Sequence, residues 1–284
     1  MIANRLTKTI GALLTVFVSG VLFAQAIDPE IPVSEFPPTA TLVRKDKTII
    51  AIKYSADGDG LFVICSPKDE DKEKITRFVI YDIKPYLVHI TIDKNIIKAP
   101  VAFVRQKDGG DGELEAYNGT AKLLEGDEAP CLPEIKADPQ PNTVFVTQGK
   151  TQLSGSRLDY SQETGLAVIA GPITFERPQD SGDVLRGNSE KITVNVDEEK
   201  TFLEGKVILK SKCRESSADR VEYDDKKNRA ILTGKPAKST GADGSVVIGE
   251  RLEYNLETND VIVTSSDEAN PVTGTFDDEA APCK

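Results

Sequence analysis

One pattern of apolar and polar positions recurs along this chain. "GSRLDYSQETGLAVIAGP", "SADRVEYDDKKNRAILTGKP" and "GERLEYNLETNDVIVTSS" each alternate at a period of two, break at a polar turn, and alternate again. A period of two puts successive side chains on opposite faces of an extended strand, so each stretch reads as a β-hairpin. A further copy, "EKITVNVDEEKTFLEGKV", keeps the frame with Val194 where the others carry tyrosine. From the anchors Tyr160, Val194 and Tyr223, a glycine follows eleven residues on, at 171, 205 and 234; Tyr254 has Ser265 at that place. The anchors themselves lie 34, 29 and 31 residues apart. Spacing that is fixed within a unit and variable between units describes hairpins joined by adjustable loops.

Each of those glycines falls inside a second strand, where glycine weakens pairing. A bulge or sharp bend that curls the sheet explains three copies at one spacing. The alternation also sorts the faces. Leu158 with Tyr160, Ile192 with Val194, Val221 with Tyr223, and Leu252 with Tyr254 share one side of the first strands. Ala167 with Ile169, Thr201 with Leu203, Ala230 with Leu232, and Val261 with Val263 share one side of the second. This set carries no charge and is assigned inward. The opposite side holds Val168, Phe202, Ile231 and Ile262 among charged and small polar residues.

The first half of the chain repeats less cleanly. "IKYSADGDGLFVICSP" puts Cys65 eleven past Tyr54, and "GELEAYNG" echoes "GERLEYN". The halves meet at "CLPEIKADPQPN", whose prolines at 133, 139 and 141 forbid a central strand. The expected division is therefore a leader over 1–26, an N-terminal β half over 27–137, and a C-terminal half over 138–284. No long amphipathic helix is expected. The fold class is all-β: stacked antiparallel hairpins forming a curled jelly-roll.

The leader is read from Arg5 and Lys8, the apolar run from Ile10 to Phe23, and the small residues of Ala24-Gln25-Ala26. That order is the layout of an export signal, and it predicts a periplasmic or envelope protein; an uncleaved anchor is the rival reading. Four cysteines, at 65, 131, 213 and 283, then suggest two disulfides. "GDEAPC" ends at Cys131 and "DDEAAPC" at Cys283, and each follows an earlier cysteine at a similar distance. One bridge per half, Cys65–Cys131 and Cys213–Cys283, is the expected pairing. The spacings contain no Cys-x-x-Cys pair for zinc.

The chain has 46 Asp+Glu against 35 Lys+Arg, a net charge of −11. That balance opposes binding to nucleic acid or to an anionic bilayer by charge. His89 is the sole histidine and sits in the alternating "YLVHITI", without a nucleophile motif beside it. "SADGDG" and "KDGGDGE" do not follow the ligand order of a calcium loop and read as turns. No constellation supports an enzyme, a metal or a cofactor.

The repeat, a strand of the form "ADRVEYD" or "GERLEYN", a polar turn and then "AILTG", resembles the OstA-like (LptA-like) family. The resemblance is strongest over residues 150 to 265. It implies a periplasmic lipopolysaccharide-transport protein: a jelly-roll open along one side, an apolar interior that shields acyl chains, and end-to-end stacking into a bridge. It makes Leu158, Tyr160, Ile169, Ile192, Val194, Leu203, Val221, Tyr223, Leu232, Leu252 and Tyr254 the expected lipid-binding residues. The expected partners are lipopolysaccharide or another envelope lipid, and neighbouring envelope proteins or further copies joined through edge strands. The sequence departs from the family in its two cysteine pairs, its duplicated layout, its greater length and its acidity, where a groove mouth for phosphorylated lipid calls for Lys/Arg. Two functions stand at this point: a lipid carrier, and a structural envelope module in which the same residues form a closed dry core.

Overall fold

A computed structural model describes residues 39–275, apart from 45–46, 56–58, 69, 93–94, 127–128, 180–181, 197, 199, 225–226, 228, 256–260 and 265–271. The expected leader, Ser265 and Cys283 lie outside the described residues. Within them the chain is a succession of strands with no α-helix, as the alternation predicts. None of the described residues forms a helix long and apolar enough to cross a membrane.

The first strands are β1 (Thr39–Arg44), β2 (Lys47–Ile52), β3 (Leu61–Cys65), β4 (Ile75–Tyr81), β5 (Val88–Ile92), β6 (Asn95–Ala99) and β7 (Val101–Lys107). Then follow β8 (Gly112–Tyr117), β9 (Gly119–Lys122), β10 (Glu134–Ala137), β11 (Val144–Gln148), β12 (Thr151–Gly155) and β13 (Arg157–Ser161). The remainder begins with six long strands: β14 (Leu166–Pro178), β15 (Val184–Asn195), β16 (Lys200–Lys210), β17 (Arg214–Asp224), β18 (Arg229–Gly241) and β19 (Val246–Asn255). Short β20 (Val261–Thr264) and β21 (Thr273–Thr275) end the series.

All pairings are antiparallel, and apart from that of β9 with β10 they resolve into two leaves of one sheet. The first leaf runs β1-β2-β5-β6-β11-β12, and continues through the outer halves of β14 to β19 to β21. The second runs β3-β4-β7-β8-β13, and continues through the other halves of the same long strands to β20. Each long strand therefore belongs to both leaves and bends between them. The bends are visible as register shifts at Ala170/Ile173, Asn188/Lys191, Glu204/Val207, Ser217/Arg220 and Thr233/Ala237. Aligned, they form a seam along which the sheet is folded, and the sheet stays open at both ends.

Three of these bends fall at the glycines the spacing singles out. At Gly171 a Cβ would lie 2.3 Å from the carbonyl oxygen of Glu190, so a side chain is sterically barred. At Gly205 the backbone adopts φ 78°, which L side chains rarely take. The shifts in β15 and β17 involve no glycine and are not announced by the repeat. In the first half the seam continues as breaks between strands: Pro100 separates β6 from β7, and Ser156 separates β12 from β13. Ser156 donates from its backbone N–H to the carbonyl of Ala170 at 2.9 Å, and from its hydroxyl to that of Gly171 at 3.0 Å.

The core lies between the leaves. Leu153, Phe175 and Val207 of the first leaf join Leu158, Ile192 and Leu232 of the second in one buried cluster. The two sequence halves share this sheet, because β6 pairs with β11 and β8 with β13. Between the prolines at 133 and 139 a strand does form, β10, but it pairs only with β9 in a separate two-stranded sheet. Cys65 and Cys131 form a disulfide that ties the segment after β9 to edge strand β3. Cys213 is disulfide-bonded as well; its expected partner, Cys283, is not among the described residues. His89 packs its ring against that of Tyr54, with centroids 4.4 Å apart.

Candidate functional site

The eleven expected residues fall into two parallel rows on the inner face of the second leaf. Leu158, Ile169, Ile192, Leu203, Val221, Leu232 and Leu252 are register partners in succession across β13 to β19. Tyr160, Ala167, Val194, Thr201, Tyr223, Ala230 and Tyr254 form the next row out from the seam. Period-two alternation in each strand and a common register across strands together make the surface continuous. All eleven expected residues are buried except Tyr223, which is half-buried.

A cavity of about 80 Å³ lies between the leaves at their open margin, on the side away from the seam. It is several times the space one water molecule needs. Six expected residues border it: Ile192, Leu203, Val221, Tyr223, Leu232 and Tyr254. Leu158, Tyr160, Ile169, Val194 and Leu252 pack in the core without bordering it. The facing leaf contributes Leu153, Phe175, Leu185 and Leu209, none of which stands in the expected set.

The mouth is polar. Gln148, Thr151, Arg177, Ser211 and Arg214 come from the ends of first-leaf strands and the turns beside them. Arg177 lies over the ring of Tyr223 with its guanidinium carbon 4.6 Å from the centroid, and Arg214 over that of Tyr254 at 5.9 Å. Both contacts reach from the first leaf to the second across the open margin. Below them Arg214 donates to the Ser239 hydroxyl at 3.1 Å, and the Ser216 hydroxyl and Tyr254 phenol are hydrogen-bonded at 2.8 Å. Tyr254 also donates to Ser239. In a chain with a marked acidic excess, no Asp or Glu among the described residues lines the cavity.

The outer face of the second leaf carries charge in ladders that need no ligand to explain them. Glu115 takes Arg157 at 2.7 Å, and Arg105 pairs with Glu115 and, at 3.4 Å, with Glu113. The bond from Arg157 to Asp159 holds that guanidinium above its ordinary range, as do the charges of Asp159 and Glu115 against the opposing effect of burial. Burial chiefly raises the Tyr117 phenol, with Glu115 adding to it. Among the described residues no group of His, Cys, Asp and Glu could hold a metal ion.

A single antiparallel sheet of bent hairpins, folded on itself around an apolar interior and open at both ends, defines an OstA-like β-jelly-roll. Residues 142–260 match the family described as "LptA/(LptD N-terminal domain) LPS transport protein". The match covers less than half of the chain, and the family is one of transport proteins, not enzymes. No curated protein matches the chain. Among solved structures it is similar to LptH, the LptA-homologous periplasmic component of the lipopolysaccharide transport device of Pseudomonas aeruginosa. The two are 16% identical over 64% of this chain and 94% of that one, with a TM-score of 0.26.

Proposed function

We propose that the protein is a non-enzymatic periplasmic carrier of the cell envelope that holds lipid acyl chains between the two leaves. The observation that carries this reading is the cavity at the open margin, apolar within and polar at its mouth, where a few polar groups can orient an otherwise apolar ligand. The expected lipid-binding residues serve in two ways. Ile192, Leu203, Val221, Tyr223, Leu232 and Tyr254 contact the chain, while Leu158, Tyr160, Ile169, Val194 and Leu252 hold the leaf that presents them. The family match supports lipopolysaccharide or a related envelope lipid as the cargo and other transport components as neighbours. Edge strand β20 exposes Ile262 and edge strand β3 exposes Ile64, which suits strand-to-strand contact with a neighbour or a second copy.

The test is lipid extraction and mass spectrometry on protein purified from its native envelope, followed by melting of the stripped protein with and without that lipid. An acyl-chain lipid near one per protein, which raises the melting temperature when restored, is the expected result. Protein that never carries lipid and melts identically with it would instead identify a structural envelope module with a dry core.

A further inference from the structure

We infer that Tyr254 is a specificity-determining residue: hydrogen-bonded across the interior to Ser216 and Ser239, it forms a crossbar that ends the cavity and limits the length of acyl chain it takes. This rests on the reading of the cavity as an acyl-chain site and adds which chains fit.

The bar interrupts a surface that is apolar on both sides of it. On the first leaf one inner row passes through the register partners Phe175, Gly187, Leu209, Ser216, Ser239 and Val247. The ring of Phe175 lies where a side chain at Gly187 would stand. The row is therefore apolar as far as Leu209, polar for two strands, and apolar again. On the second leaf Tyr254 is followed in β20 by its register partner Val261, with Val263 beside Leu252. Ser216, Ser239 and Tyr254 are 5%, 0% and 8% exposed. Buried hydroxyls are costly unless bonded, and these bond one another. Ser216 donates to Ser239 at 3.0 Å, and Tyr254 bonds both. Packed leaves lie about 10 Å apart, a gap that one long side chain bridges where it meets short ones. Two serines facing a tyrosine supply that fit, and Arg214 holds Ser239 from the mouth at 3.1 Å.

The cavity stops at this bar. Its first-leaf lining runs from β12 to Ser216 in β17, and its second-leaf lining from Ile192 in β15 to Tyr254 in β19. Among the described residues, Val247, Val261 and Val263 line no part of it, although they continue the two inner rows. Without the bar the apolar interior would run on toward edge strands β20 and β21. A chain that pushed the ring aside would leave the hydroxyls facing hydrocarbon, a loss that an apolar contact does not carry. Lengthening a chain beyond the bar therefore adds nothing to its affinity.

Calorimetric titration of the full chain, stripped of lipid, with even-numbered fatty acids from decanoate to octadecanoate tests this. In the wild type, affinity should rise about fourfold per methylene and then level off once the chain meets the bar. Tyr254→Phe keeps the ring and loses its bonds, and Tyr254→Leu also shortens the side chain. The ratio of octadecanoate to decanoate affinity cancels any general weakening. It should increase about fourfold in Tyr254→Phe and about fourteenfold in Tyr254→Leu, the gain from one and from two further methylenes. Tyr254→Phe, which removes a single oxygen, carries the comparison if the leucine variant unfolds, and the wild-type profile needs no variant. A wild-type affinity that climbs without levelling would overturn the crossbar. Ratios unchanged in both variants would overturn it too, making Tyr254 a structural residue and leaving the acyl-chain site standing. Failure of every fatty acid to bind would overturn the acyl-chain site as well.

Discussion

Replacing Leu232 by aspartate and by asparagine separates a dry interior from one that water can enter. Leu232 is 0% exposed, its register partners are Val221 and Leu252, and it also borders the cavity. Asparagine, branched like leucine and with the same number of side-chain heavy atoms, gives up about 1.5–3 kcal/mol of apolar burial and hides an amide at about 1–3 kcal/mol. Aspartate does the same when protonated, and more when charged. Burial without a partner raises a carboxyl by about three units, and each unit is about 1.4 kcal/mol, so the ionised form costs about 4 kcal/mol beyond asparagine. The folded-state pKa lies above the unfolded one, so the fold binds the proton more tightly than the unfolded chain does. The added loss is therefore absent below about pH 4, grows as pH rises through the interval between the two pKa values, and is complete by about pH 8. Urea unfolding of Leu232→Asp and Leu232→Asn at these two pH values gives the comparison. The pair should agree in acid and diverge by about 4 kcal/mol at the higher pH, a large share of the stability of an ordinary domain. Equal stability at about pH 8 would mean that the carboxylate hydrates through the cavity, and the argument from burial would be refuted.

Cys65→Ser should lower stability by about 4 kcal/mol, from the entropy that the bridge across 66 residues removes from the unfolded chain; chemical denaturation under non-reducing conditions reads it, and a loss below about 1 kcal/mol would contradict the estimate. Gly171→Val should cost more than about 2 kcal/mol, because its Cβ would meet the backbone of Glu190 at the seam, whereas Gly182→Ala, in an open turn, should cost less. Thermal melting of both variants checks the contrast.

The second leaf was legible in the sequence and the first leaf only partly so, for a reason of parity. Between Tyr160 and Tyr254 the alternation and the constant eleven-residue interval predict both inner rows and three of the bends. Past a bend the outcome depends on the residues inserted there. In β14, Ile169, Ile173 and Phe175 keep the same parity, so counting by twos through Gly171 reaches Arg177. In β17 the inward Ala218 and Val221 stand three positions apart, and the count changes face. Extrapolating from Val221 therefore points Asp219 and Ser217 inward and turns Arg214 outward. Alternation alone therefore does not place Arg214 beside Arg177 at the cavity. Phe175 and Leu209 lie inward by alternation through Gly171 and Gly205 but belong to a leaf the hairpin reading did not separate. Ile231 marks a limit of another kind: it faces outward by the same alternation and is nonetheless buried.

The seam has a consequence for how such a molecule can change in length. Every long strand crosses it, so a repeat of two strands contributes one segment pair to each leaf at once. Inserting or deleting one repeat would lengthen or shorten the passage by two strand spacings, about 10 Å. Its width, set by where the bends fall along each strand, would be untouched. Length and bore are thus encoded separately: the number of repeats fixes the first, and the eleven-residue interval fixes the second.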